Sequence, residues 1–162
     1  MALTTLAAML LLADGEGVSN IKDDGPQAQH VLVASMAAKL GMTLFAPDKT
    51  ARGFAMASIE SVMLEGTDPF GLGRRPAVRM RFVNKGTATA FDIYEVKSSG
   101  SVNAAKHMAW LLGSGSFEGS PSPHDTVATL KRADTDLAFA GGLVSEPSAL
   151  ELLKRLVKIS PN

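Results

Sequence analysis

Between Val78 and Phe82 the chain alternates strictly, with Val78, Met80 and Phe82 on one side and Arg79 and Arg81 on the other. Successive side chains leave opposite faces of a pleated backbone, so a period of two predicts a half-buried strand. Two similar runs flank it. Phe54 and Met56 alternate with small residues, and Ile59, Val62 and Leu64 continue after the period breaks near Ser58; such a break predicts a bulge or bend. On the other side, Asn84-Lys85-Gly86 is a hairpin signal, after which Phe91 and Ile93 share a face with Asp92 and Tyr94 opposite. Asp68-Pro69 through Gly73 supplies the turn-rich loop between the first two runs.

Helical patterns surround these strands. Ala2 to Ala13 is apolar, has no Lys or Arg ahead of it, and runs into Asp14-Gly15-Glu16. That order fits a buried first helix better than a signal peptide, which carries a basic start and a small-residue cleavage site. At twelve residues the run is also short of the roughly 20 needed to span a bilayer. A second helix is punctuated by Asp24 or Gly25 as cap, Pro26 in the first turn and Gly41 at the exit, with Val33, Met36, Ala37 and Leu40 as its apolar stripe. A third opens at Ser99 or Ser101, turns Val102, Ala105, Ala109 and Leu112 inward, and ends at Gly113. Residues 114–123 form a Gly/Ser/Pro loop or linker. Val127 to Ala140 fits either helix or strand. In the last helix Ser145 is the cap, Glu146 and Pro147 fill the first turn, and Lys154, Arg155 and Lys158 crowd the C-terminal end, as the helix dipole favours.

The architecture expected is therefore one α+β domain over 1–162. An N-terminal helical pair occupies 1–46, and a small antiparallel sheet with a packed helix occupies 52–113. The loop at 114–123 leads to a C-terminal segment, 124–162, ending in a helix. A chain of 162 residues with 46% hydrophobic and 20% charged residues is long enough to bury a core and well inside the globular range.

The runs RGFAMASIESVML, AVRMRFVN, AFDIYEV and VNAAKHMAWLL succeed one another as strand, strand, strand and closing helix. This stretch, 52–113, resembles the second half of a bacterial pleckstrin-homology-like domain. Such domains mostly bind protein partners or lipid head groups and rarely catalyse, so the resemblance implies a binding module.

Candidate chemistry is sparse. The chain has no cysteine, which excludes disulfides, thiolate metal sites and cysteine nucleophiles. His30, His107 and His124 stand far apart, with none in a spaced ligand pair, and no cofactor or metal is expected. Asp14, Glu16, Asn20, Asp23 and Asp24 do not follow the spacing of a calcium loop. The G-x-G of Asp68 to Arg75 lacks the strand and helix that a phosphate cradle requires. Ala37 to Thr43 resembles the turn of a helix-turn-helix, but the segment after it contains Pro47 and few helix formers.

Sixteen basic and sixteen acidic residues cancel, so any electrostatic steering must come from a local patch. Arg74, Arg75, Arg79, Arg81 and Lys85 place five of the sixteen basic residues in twelve positions, and they are the candidate partner-binding residues. The alternation puts Arg79 and Arg81 on the solvent face of their strand, with Glu60, Glu65 and Asp92 as neighbours that could neutralise them. The leading expectation is a non-enzymatic binding or assembly module working through protein–protein contacts or self-association. It would be part of a larger complex or a bacteriophage structure, cytoplasmic or carried in a virion. The alternative is a phosphate-binding module that uses the arginine strand on nucleic acid or anionic lipid. An enzyme ranks third, with no residue nominated for catalysis.

Overall fold

The computed structural model describes residues 19–20, 26–48, 53–64, 75–84, 86–87, 89–98, 126–142 and 145–161. In chain order they form β1 (Ser19–Asn20), α1 (Pro26–Leu40), β2 (Leu44–Ala46), β3 (Phe54–Leu64), β4 (Arg75–Asn84), β5 (Thr89–Lys97), β6 (Thr126–Arg132), β7 (Thr135–Gly141), α2 (Glu146–Arg155) and β8 (Val157–Ile159). Six strands make one antiparallel sheet in the order β1-β3-β4-β5-β7-β6, while β2 and β8 pair separately as a second, two-stranded sheet. Among the described residues the fold is mostly β, which corrects the expected helix-first α+β arrangement with its small sheet. The helices expected over 2–13 and 99–113, and the loop at 114–123, lie outside the described residues.

The undecided stretch from Val127 to Ala140 accounts for part of the difference. It is a hairpin, β6 paired with β7 from Thr126↔Gly141 to Arg132↔Thr135. Its turn passes through Ala133 at φ 51°, a left-handed conformation that a non-glycine residue seldom takes, so the sequence carries no Gly or Asn to announce it. β7 is buried along its whole length. A strand covered on both faces has no reason to alternate apolar with polar residues, and its period is therefore unreadable.

Several local expectations hold. Gly41 lies at φ 60°; its N–H donates to Ala38 O and that of Met42 to Ala37 O, the paired bonds that close a Schellman-type helix end. Val33 and Ala37 are fully buried, with Met36 and Leu40 partly so. The β3–β4 register shifts between Met56 and Ser58, where the period breaks. Gly86 N–H donates to Asn84 Oδ1 at 2.9 Å in the hairpin between β4 and β5. Ser145 caps α2, its hydroxyl accepting from Ser148 N–H. The last helix is shorter than expected, however. Leu156 turns extended at ψ 143°, and Lys158 belongs to β8, where the β-branched residues Val157 and Ile159 flank it.

The main core lies between one face of the six-stranded sheet and a layer made by α1, β2 and α2. Leu32, Val33, Leu44 and Leu153 meet Val78, Met80, Phe82 and Ile93 there, so the strand register read from the alternation is the observed one. Phe91 is its aromatic hub. Its ring stands 5.0 Å from Phe82, 5.0 Å from Phe54 and 5.1 Å from Phe139, centroid to centroid, within the range where ring pairs attract beyond their area. Gly141 is opposite Phe91 in the register, and a Cβ built there would come within 2.8 Å of the Phe91 Cβ. Glycine is thus required by close approach.

Two substitutions test this arrangement in thermal or urea melts. Phe91→Ala should cost about 3–5 kcal/mol, the usual range for emptying an aromatic core site. Gly141→Ala should also destabilise, whereas Gly86→Ala, whose Cβ would meet nothing closer than 3.4 Å, should change stability far less. A Gly141→Ala protein melting with the wild type would mean that the β5–β7 register is wrong.

Candidate functional site

The other face of the sheet carries charge. Three rows of residues cross it from β3 to β7: Ser58–Arg81–Asp92–Ala140, Glu60–Arg79–Tyr94–Ala138, and Val62–Ala77–Val96–Asp136. In the middle row the Arg79 guanidinium pairs with the Glu60 carboxylate, their side chains only 15% and 11% exposed, and it donates to the Tyr94 phenol oxygen. Asp92, Tyr94 and Asp136 are buried, as are Ala77, Val96, Ala138 and Ala140 beside them.

This arrangement corrects the reading of Arg79 and Arg81 as residues of a solvent face. Arg79 is committed to an interior cluster, and Arg81 is half-buried in register between Ser58 and Asp92. Of the other three candidates, Arg75 opens β4, while Arg74 and Lys85 lie outside the described residues. β4 runs from position 75 to position 84, about 30 Å at 3.3–3.4 Å per residue. Crowding in sequence therefore becomes spread along a strand. Glu60 and Asp92, named from sequence as neutralising neighbours, do stand beside Arg79; Glu65 lies outside the described residues.

The electrostatics of the cluster argue for holding rather than reacting. Burial works against the charge of Arg79, but the Tyr94 oxygen and the Glu60 and Asp92 carboxylates keep its pKa above the ordinary value. Burial, together with the Asp92 charge, pushes the Tyr94 phenol up to about 12. A phenol that stays protonated at neutral pH is poorly matched to general-base or nucleophilic work, which favours a pKa near the operating pH.

A second buried group lies on the core face. Alternation along β5 puts Glu95 with Phe91 and Ile93 among apolar side chains, and it is fully buried. Phe45 N–H donates to both of its carboxylate oxygens, at 3.1 and 3.0 Å, tying β2 to the main sheet. Arg132 Nη1 donates to Leu153 O at 3.1 Å and Leu156 O at 2.7 Å, closing the C-terminal end of α2, and its guanidinium sits 4.3 Å over the Phe45 ring. Burial raises the Glu95 pKa well above the usual carboxylate range; the Phe45 N–H and the Arg132 charge pull it down without offsetting this. Both residues were open to discovery from sequence. Continuing the Phe91–Ile93 alternation one step places Glu95 in the core, and Ala128, Leu130 and Arg132 follow the same rule.

Among the described residues, an open groove of about 400 Å³ lies at the sheet end where the β4–β5 hairpin and the end of β7 meet, lined by Phe54, Asn84, Thr87, Thr89, Ala90, Phe91 and Gly142. His30 is engaged, its Nε2–H donating to Pro47 O at 2.8 Å; His107 and His124 lie outside the described residues. Among the described residues no group of three or more His, Asp or Glu is placed to hold a metal, and no helix is long and apolar enough to cross a membrane. No protein-family model, curated protein or solved structure matches the chain.

Two measurements check the charged row. Arg79→Ala should cost about 3–5 kcal/mol, because it leaves a carboxylate buried without its partner, whereas Glu60→Leu with Arg79→Met should cost far less. Tyr94 is the chain's single tyrosine, so phenolate absorbance near 295 nm reports it alone. Its raised folded pKa means that its contribution to stability is present below the unfolded value of about 10 and is lost as pH climbs toward 12. The native protein should titrate near the higher value and the urea-unfolded protein near the lower one; a native midpoint near 10 would contradict the buried placement.

Proposed function

We propose that this chain is a non-enzymatic binding or assembly module that works through protein–protein contacts, as one component of a larger complex. The open groove at the sheet end carries this reading. Phe54, Ala90 and Phe91 line it together with Thr87 and Thr89, whose hydroxyls bond each other, a surface suited to an inserted apolar side chain from a partner. Substrate sites generally enclose their ligand and bring polar groups to converge on it. Here the strongly perturbed groups, Tyr94 and Glu95, are themselves buried. The alternative reading, phosphate binding through the arginine strand, is weakened because Arg79 is already engaged by Glu60 and Tyr94.

Thr87 is exposed and lines the groove, so Thr87→Arg should block it without disturbing the core. Native mass spectrometry and light scattering over a concentration series should show self-association, or capture of a protein partner, that Thr87→Arg removes while the melting temperature stays put. Association unaffected by Thr87→Arg would sink the groove as the contact surface. Co-purifying nucleic acid released by added salt would instead support the phosphate reading, since phosphate contacts depend steeply on salt.

A further inference from the structure

We propose that Glu95 is a protonation-controlled latch: uncharged, it holds the β2–β8 pair and the end of α2 on the main sheet, and on ionising it lets them lift. The geometry carries the inference. A carboxyl with no exposure is set among apolar neighbours, with Val78 and Leu137 beside it in the register. Its bonds to Phe45 N–H join a three-residue strand to the sheet. β2 has one further buried anchor close by, the Thr135 hydroxyl donating to Thr43 O at 2.7 Å. β8 is held through β2 by Leu44↔Ile159, Phe45↔Lys158 and Ala46↔Val157. The polar attachment of the β2–β8 pair to the sheet thus centres on one titratable group, alongside the apolar contacts of Leu44, Phe45 and Ala46.

The charged surroundings are few. Arg132 of β6 is the cation that acts on Glu95, and it also holds α2 by two carbonyls, so loosening at Glu95 reaches α2 as well as β2. Lys97, one pleat further along β5, is exposed, as are Lys158 on β8 and Glu151, Lys154 and Arg155 on α2. On α1, His30 is bound to Pro47 O, and β2 itself presents Leu44, Phe45 and Ala46, none of which titrates.

The direction follows from linkage. Burial favours the neutral carboxyl in the closed layer, while an open layer lets water solvate the ionised form. The closed state therefore binds more protons, and opening becomes easier as pH rises between the open-state and closed-state pKa values, by up to about tenfold per pH unit. Glu95→Gln keeps an acceptor for Phe45 N–H and removes the titration.

Amide hydrogen exchange followed residue by residue, with each rate divided by that of an unstructured amide at the same pH, tests the latch. Phe45, Lys158 and Ile159 should exchange through an opening that leaves Met80 and Ile93 protected. Their protection should fall with rising pH in the wild type and stay level in Glu95→Gln. A slope that survives in Glu95→Gln, or exchange of Phe45 only when Ile93 exchanges, would overturn the proposal. Should Glu95→Gln fail to fold, the ¹³C titration of the Glu95 carboxyl in the wild type decides: a midpoint above the ordinary carboxylate range, at the pH where the loss of Phe45 protection levels off, supports the latch, and one in the ordinary carboxylate range refutes it.

Discussion

Six consecutive residues of β5, Phe91 to Val96, are buried, and the rest of the structure is arranged around that constraint. A central strand with no wet face still alternates, but between two different interiors. Odd positions Phe91, Ile93 and Glu95 meet the aromatic and aliphatic core; even positions Asp92, Tyr94 and Val96 meet the charged rows. Charge taken out of water is costly unless it is paired and hydrogen-bonded. Arg79 therefore has to lie between Glu60 on β3 and Tyr94 on β5. A slip of one residue would drive its guanidinium into the phenylalanine cluster and turn Phe82 toward the carboxylates. The ionic row and the phenylalanine hub each exclude the register that the other would tolerate, which specifies strand pairing more sharply than either face alone.

The same constraint explains what the sequence revealed. β4 alternates apolar residues with arginines, so its register was legible, and so were the bulge near Ser58, the Asn84–Gly86 turn, the Gly41 helix exit and the Ser145 cap, each signalled by one or two residues with a local mechanism. β7 was not legible, because a strand buried on both faces loses its period, and the β6–β7 turn uses Ala133 in place of glycine. Three-residue strands such as β2 and β8 are shorter than any periodicity can register. The arginines were misplaced for a different reason. Alternation says that Arg79 and Val78 face opposite ways; it does not say that either way is water. A polar face need not be a wet one: this face is an interior that carries its own counter-charges. Glu95 shows the converse: the alternation that places Phe91 and Ile93 inside places Glu95 inside too, and a carboxylate in that position marks a site more sharply than any run of surface charge.

These placements bear on function through the range of electrostatics. Exposed charges are screened over about 8–10 Å at physiological ionic strength, and the ends of β4 are about 30 Å apart. The described residues that line the groove beside Phe54 and Phe91 carry no charge. An apolar contact there would depend on shape and burial, with little sensitivity to salt. The strand order brings Phe54 and Phe91 to one end of the sheet, beside the end of β7. The covering layer of α1, β2 and α2, with β8 paired to β2, is different in kind. Its polar attachments to the sheet are few and specific: Glu95 to Phe45, Thr135 to Thr43, and Arg132 to the end of α2.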